Sequence, residues 1–308
     1  MTEISDYVRA LRGPIVVLGA GGFVGANLLR LLLKYRSDVF GVVRKLPAWR
    51  LEAIDRRHIL EIDINDLAAT RNMVTSILPA TLFDCVAYGA YSFETDHALI
   101  YRTNFSSLVQ LVELLAETEF TALVHAGSSS EYGLNSAGPG EDTMLQPNSH
   151  YSVSKAAASD YLSFAGKVRR LPVVNLRLYS VYGPFEDTSR LIPNLIAKGM
   201  KGEYPLSSTR TFRATLSTSM TSARHSFMRQ RRSRRICTAS RSISGRAIER
   251  RYATWPAFLP TPSIFRRSPI LQPWLDVRGT CRTGTQPQKR RRTSSAGKRG
   301  SDFSKGSG

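Results

Sequence analysis

The chain has 308 residues, 42% of them hydrophobic, and carries 43 Lys+Arg against 24 Asp+Glu for a formal charge of +19. That length suits one large or two medium domains with a proper core. No stretch reaches the roughly 18 apolar residues of a membrane span, and Met1–Arg12 lacks the apolar centre of a signal peptide, so a cytoplasmic protein is expected. Cys85, Cys237 and Cys281 are odd in number and far apart, which argues against a disulfide framework or a cysteine zinc site. His58, His97, His125, His150 and His225 show no ligand spacing; they are read as structural or surface residues, and no metal is expected.

The charge is concentrated at one end. Residues 1–205 hold 20 Lys+Arg and 21 Asp+Glu, whereas residues 206–308 hold 23 Lys+Arg and 3 Asp+Glu. The first part reads as an ordinary α/β protein. The second, rich in Arg, Ser and Thr and without periodicity, reads as a basic tail of low order or poor packing.

Strands and helices alternate along residues 10–205. Pro14–Leu18 is a short apolar run that ends in glycines, as a buried parallel strand does. The following segment crowds Leu28, Leu29, Leu31, Leu32 and Leu33 onto a helix. Val39–Val43 and Ile59–Ile64 predict the second and third strands, and Phe83–Ala87 the fourth. Leu108, Leu111, Val112 and Leu115 fall at helical spacing and predict a helix over Thr103–Glu117. Ala122–Ala126 is a fifth strand with Ser128, Ser129 and Ser130 beyond it, Ser152–Ala165 a helix and Pro172–Leu178 a sixth strand. This alternation predicts a doubly wound parallel sheet.

Two motifs carry chemistry. Gly19-Ala20-Gly21-Gly22-Phe23-Val24-Gly25 lies between the first strand and its helix. Glycines there permit a tight turn and close approach of the backbone to a pyrophosphate, and the helix N-terminus offers free N–H groups. Arg44 follows the second strand, where it either pairs a 2′-phosphate, favouring NADP over NAD, or is a solvated surface side chain. Further on, Tyr151 and Lys155 stand four apart on one helical face. A neighbouring cation favours the phenolate, which suits Tyr151 to acid/base work near neutral pH. The serines after the fifth strand are placed to hold a substrate oxygen.

Five motifs in order resemble the extended short-chain dehydrogenase/reductase family, specifically its NAD(P)-dependent nucleotide-sugar epimerases, dehydratases and 4-keto reductases. They are GAGGFVG at Gly19–Gly25, DIND at Asp63–Asp66, GSSSEYG at Gly127–Gly133, YSVSK at Tyr151–Lys155 and LRLYSVYGP at Leu176–Pro184. The resemblance covers residues 10–205 and implies a Rossmann-like fold. It implies Tyr151 as the acid/base, Lys155 on the nicotinamide ribose and Ser128 as the catalytic hydroxyl, with Ser129 the alternative. It also implies a cofactor site of Gly19, Gly22, Phe23, Val24, Gly25, Arg44, Asp63, Ile64 and Lys155, with Asp63 on the adenine. Glu131 falls at a different offset from the acid some dehydratases keep and is left unassigned. Ser180 and Tyr88-Gly89-Ala90 depart from the family pattern. Implied partners are a nucleotide sugar and a second copy, through Thr103–Glu117 and Ser152–Ala165.

The resemblance stops near Leu206, where the family continues into a small substrate domain. Read one base out of register, Phe212–Gln230 permits SRDFVYVDDVCSAFIHAA and Arg241–Ala247 permits FNLGTG, both family-like motifs. A single-base frameshift near Leu206 or Ser207 is therefore expected, leaving a chain truncated as an enzyme that either is inactive or still works on a nucleotide sugar. The alternative is a non-catalytic basic protein whose clusters at Arg231–Arg235 and Lys289–Arg292 bind nucleic acid without sequence preference.

Overall fold

The computed structural model describes residues 4–201 and the backbone of a short strand at 216–218. The basic tail, the shifted-register motifs, His225 and both arginine clusters otherwise lie outside the described residues.

The chain opens with α1 (Ile4–Arg9), β1 (Ile15–Leu18), α2 (Phe23–Leu33) and β2 (Val39–Val43). It continues through β3 (Ile59–Glu61), α3 (Leu67–Ile77), β4 (Thr81–Asp84) and α4 (His97–Tyr101). A π-helical turn at Arg102–Ser106 leads into α5 (Ser107–Ala116), followed by β5 (Ala122–Ser128) and α6 (His150–Lys167). Last come β6 (Val173–Leu178), β7 (Ser180–Tyr182), α7 (Leu191–Lys201) and β8 (Leu216–Thr218). Six parallel strands form one sheet in the order β3-β2-β1-β4-β5-β6, and β7 pairs in parallel with β8. The expected doubly wound, Rossmann-like sheet is present.

Alternation along β1 explains the two layers. Ile15 and Val17 face a core with Leu28, Leu29 and Leu32 of α2, while Val16 and Leu18 face a second core with Leu108, Leu111 and Leu115 of α5 and Leu162 of α6. Removing one such buried leucine side chain costs about 2–5 kcal/mol, so each layer fixes its helices firmly.

Local boundaries differ from the sequence expectation for identifiable reasons. β4 starts and ends earlier than Phe83–Ala87. Thr81 enters the strand because its hydroxyl donates to the Arg12 carbonyl at 2.7 Å, and Asp84 is tolerated at the end because His125 of β5 meets its carboxylate. β3 ends at Glu61, two residues before Asp63, whose side chain accepts from the Asn65 backbone N–H at 2.9 Å and turns the chain. α6 begins at His150 rather than Ser152 because Ser149 caps it, accepting from the Ser152 N–H at 3.1 Å.

Candidate functional site

The glycine turn joins the carboxyl end of β1 to α2. Gly19 has φ +71°, and a Cβ on Gly25 would lie 2.3 Å from the Gly19 carbonyl oxygen. A side chain at position 25 would therefore push the helix off the strand end. Gly22 is the N-cap of α2 and supplies no side-chain hydrogen bond to the first turn. The amides of Phe23 and Val24 thus open the helix without a side-chain cap, the arrangement that suits an anionic phosphate. These features fit a dinucleotide pyrophosphate.

Arg44 is exposed immediately after β2. Asp63 and Ile64 follow β3; Asp63 is half-buried and Ile64 packs against the second core. One Asp63 oxygen also accepts from Asn65 Nδ2 at 3.0 Å. Asp63 borders a groove of about 590 Å³ with Asn65, Arg102, Ser106 and Gln110, which holds no other candidate site residue.

Arg50 was not singled out by the sequence motifs, yet it links the glycine turn to the residue just after the last of them. Its Nε donates to the Phe185 carbonyl at 2.7 Å and its Nη1 to the Gly21 carbonyl at 3.4 Å. Asn27 of α2 donates to the Pro184 carbonyl at 3.0 Å, and Arg30 lies 4.1 Å from the Phe185 ring centroid. The loop after β7 is thereby fastened beside the glycine turn. Within it burial pushes the Glu186 carboxyl up to about 7, with Asp187 adding to the rise against Arg190 and Arg50.

Tyr151 and Lys155 are both on α6, which packs on β5 and on the short turn of helix at Ser129–Tyr132. Tyr151 is half-buried; Lys155 is 1% exposed. The Lys155 ammonium donates to the Ala126 carbonyl at 3.0 Å, the Val86 carbonyl at 3.3 Å and His125 Nε2 at 3.3 Å. Its three N–H groups therefore have three acceptors at the carboxyl ends of β4 and β5. Ser128 accepts from the Ser130 N–H at 3.1 Å, and its hydroxyl shares a 2.8 Å hydrogen bond with the Ser130 hydroxyl. Ser129 opens the same turn.

Glu131 plays a structural part. Fully buried, it accepts from the Ser128 N–H at 2.7 Å and from Arg177 Nε at 2.7 Å. Arg177 also donates to the Tyr132 hydroxyl at 3.1 Å and to Ser159 Oγ at 3.0 Å. The serine turn is thus tied to β6 and α6 from below.

Asn104 also lay beyond the sequence motifs. It sits in the π-helical turn, donates to the Tyr88 carbonyl at 2.7 Å and to Ser154 Oγ at 2.9 Å, and accepts from the Tyr88 N–H at 2.8 Å. An asparagine in a helix interior is poorly suited to it, which was the available signal. His125 is buried as expected of a structural residue, but next to Lys155, a placement its sequence neighbourhood does not reveal. His97 and His150 stack at 3.7 Å on the surface.

No helix among the described residues is long and apolar enough to cross a membrane.

Comparison with known proteins agrees with the fold. The chain is 26% identical over 205 residues to UDP-glucose 4-epimerase of Lactobacillus helveticus, covering 61% of each protein. The chain thus spans well under two thirds of that relative's length. Its fold is similar to dTDP-glucose 4,6-dehydratase from Bacillus anthracis, solved in complex with NAD (21% identity, TM-score 0.62, 74% of each chain). It is also similar to UDP-glucose 4-epimerase from Thermotoga maritima, solved with UDP-glucose (20% identity, TM-score 0.64, 70% of this chain and 72% of that one). A family model matches residues 15–217, from the first strand of the sheet into β8, and on that match the chain belongs to the NAD dependent epimerase/dehydratase family.

Proposed function

We propose that residues 10–205 form a nicotinamide-dinucleotide-binding unit for redox chemistry on a nucleotide sugar, of the epimerase, dehydratase or 4-keto-reductase kind. The observation that carries this reading is the placement of Lys155. It is driven into the carboxyl edge of the sheet one helical turn from Tyr151, on the sheet edge that also bears the glycine turn.

In this reading Gly19, Gly22, Phe23, Val24 and Gly25 hold the pyrophosphate, Asp63 and Ile64 the adenosine end, and Arg44 a 2′-phosphate where NADP is used. A bound nicotinamide accepts and returns a hydride. Tyr151 takes the proton of the sugar hydroxyl and returns it, and Ser128 holds the same oxygen. Lys155 stands one helical turn from Tyr151 on the same helix. α5 and α6 are the proposed surfaces for a second copy; Phe164 and Val168 are exposed on the α6 side.

The similarity to the family ends at residue 217 although the chain runs on to residue 308. The match runs past Leu206, so what supports a change of reading frame is the pair of shifted-register motifs and not the point where the match ends. β8 occupies the positions where the shifted register permits Phe-Val-Tyr. In this reading the frame change removes the family's later motifs from residues 206–308, and the unit binds a nicotinamide dinucleotide without turning over a nucleotide sugar. Two measurements test this. Titration with NADPH and NADH should saturate, more tightly for NADPH, and binding of neither would overturn the cofactor site. Resequencing across codons 195–250 should reveal the shifted motif; a gene that does not encode it in either other frame would overturn the frame change.

A further inference from the structure

Beneath Lys155 lies a buried chain of polar groups to which no role in the chemistry has yet been given. Asp84 ends β4, His125 sits in β5 directly opposite it in the ladder, and Lys155 comes down from α6. Asp84 is 3% exposed, His125 1% and Lys155 1%. His125 Nδ1 is 2.7 Å from Asp84 Oδ2, and His125 Nε2 is 3.3 Å from Lys155 Nζ.

An ammonium only donates, so Nε2 facing it must be the bare nitrogen. That leaves the ring proton on Nδ1, donated to Asp84. The other Asp84 oxygen accepts the Val86 N–H at 3.1 Å, and the Val86 carbonyl is itself an acceptor for Lys155. One carboxylate therefore fixes the lysine along two routes, one through the imidazole and one through the backbone.

We propose that His125 and Asp84 are positioning residues that hold Lys155 at the sheet edge, with the neutral imidazole in its Nδ1–H form bridging the carboxylate to the ammonium. This rests on the reading of Lys155 as part of the dinucleotide site. Neither residue touches the reacting atoms. An isolated ammonium at this depth would be costly, and a carboxylate two hydrogen bonds away offsets it while the ring fixes its direction.

The charged and titratable groups facing His125 support this protonation state. Burial, then the Lys155 charge, push the His125 imidazole down, against Asp84 and Glu131. Burial by itself would raise Asp84, but His125 and Lys155 outweigh it and keep the carboxyl below its ordinary range. Cys85 beside Asp84 is pushed up to about 12 by burial and stays a thiol.

The test is the imidazole ¹⁵N–¹H spectrum of the full chain as a function of pH. In the parent, His125 should show a proton on Nδ1 alone. Lys155→Met should move its protonation midpoint up, and Asp84→Asn should move it down. An Nε2–H tautomer, or a midpoint that neither substitution moves, would overturn the proposal. A second arm compares His125→Leu with His125→Gln, whose amide keeps one donor and one acceptor. NADPH affinity should fall about tenfold in the leucine variant, the scale of one lost buried hydrogen bond, and recover most of that in the glutamine variant. Equal affinity in parent and a folded His125→Leu would overturn it. A parent that binds no NADPH counts against the dinucleotide site instead, and the spectra, which need no nucleotide, still decide the bridge.

Discussion

Arg177 Nε and Glu131 Oε2 meet at 2.7 Å in the interior, with side-chain exposures of 7% and 0%. Burial opposes the guanidinium charge, but the bond to Glu131 outweighs it and raises Arg177. Breaking such a pair leaves an uncompensated buried charge, worth about 3–5 kcal/mol. Arg177→Met should therefore lower unfolding stability by that amount in urea titration. Adding Glu131→Leu should recover part of the loss, since both charges are then gone. A double variant as unstable as the sum of the two single variants would show that the pair is not coupled.

Gly25→Ala bears on the phosphate cradle. A Cβ 2.3 Å from the Gly19 oxygen cannot be accommodated without moving β1 from α2. NADPH affinity should drop at least about tenfold, and stability by about 1–3 kcal/mol, the usual cost of overpacking. Fluorescence titration and thermal melting read the two effects separately.

Glu186 gives a pH signature. Its folded-state carboxyl is raised from the ordinary carboxylate range to about 7, mainly by burial. The folded chain then binds more protons than the unfolded chain between these values. Its contribution to stability is full below the lower value and is lost as pH rises through the upper one. The melting temperature of Glu186→Gln should therefore change less between pH 5 and pH 8 than that of the parent. Parallel curves for the two proteins would remove Glu186 as a source of the pH dependence.

Tyr151→Phe separates binding from proton transfer. NADPH affinity should stay within about twofold, because the lost hydroxyl serves the sugar. In a chain with the frame restored, turnover should fall about 10²- to 10⁴-fold, the range for a positioned acid/base. Equal turnover in parent and variant would remove Tyr151 from that role.

The doubly wound parallel sheet was legible because each of its six strands centres on a short apolar run. The glycine turn and the Tyr151–Lys155 spacing were legible because both are local. What escaped was non-local. β4 was placed too late because Thr81 reads as a turn residue until its hydroxyl is seen bonded to the Arg12 carbonyl, and Asp84 at the strand end is matched by His125, forty-one residues away. Asn104 is an ill-suited residue within a helix, and only Tyr88 and Ser154 around it account for its place. Arg50 lies in a loop with no periodicity, and its partners at Gly21 and Phe185 come from two other segments. The helices α1, α3, α4 and α7 were not anticipated at all; α3, for one, is capped by Asp66, which accepts from the Ala69 N–H at 3.0 Å.

The π-helical turn at Arg102–Ser106 has a mechanical consequence. One residue more than an α-helical turn lets Asn104 point at the sheet edge while Leu108, Leu111 and Leu115 keep their phase against the second core. The widened coil works as a phase adjuster between two registers that a straight helix would not satisfy together. Deleting a single residue there, at Phe105, would regularise the helix yet detach either the asparagine or the leucine row, so this apparent irregularity is less tolerant of shortening than the regular turns on either side.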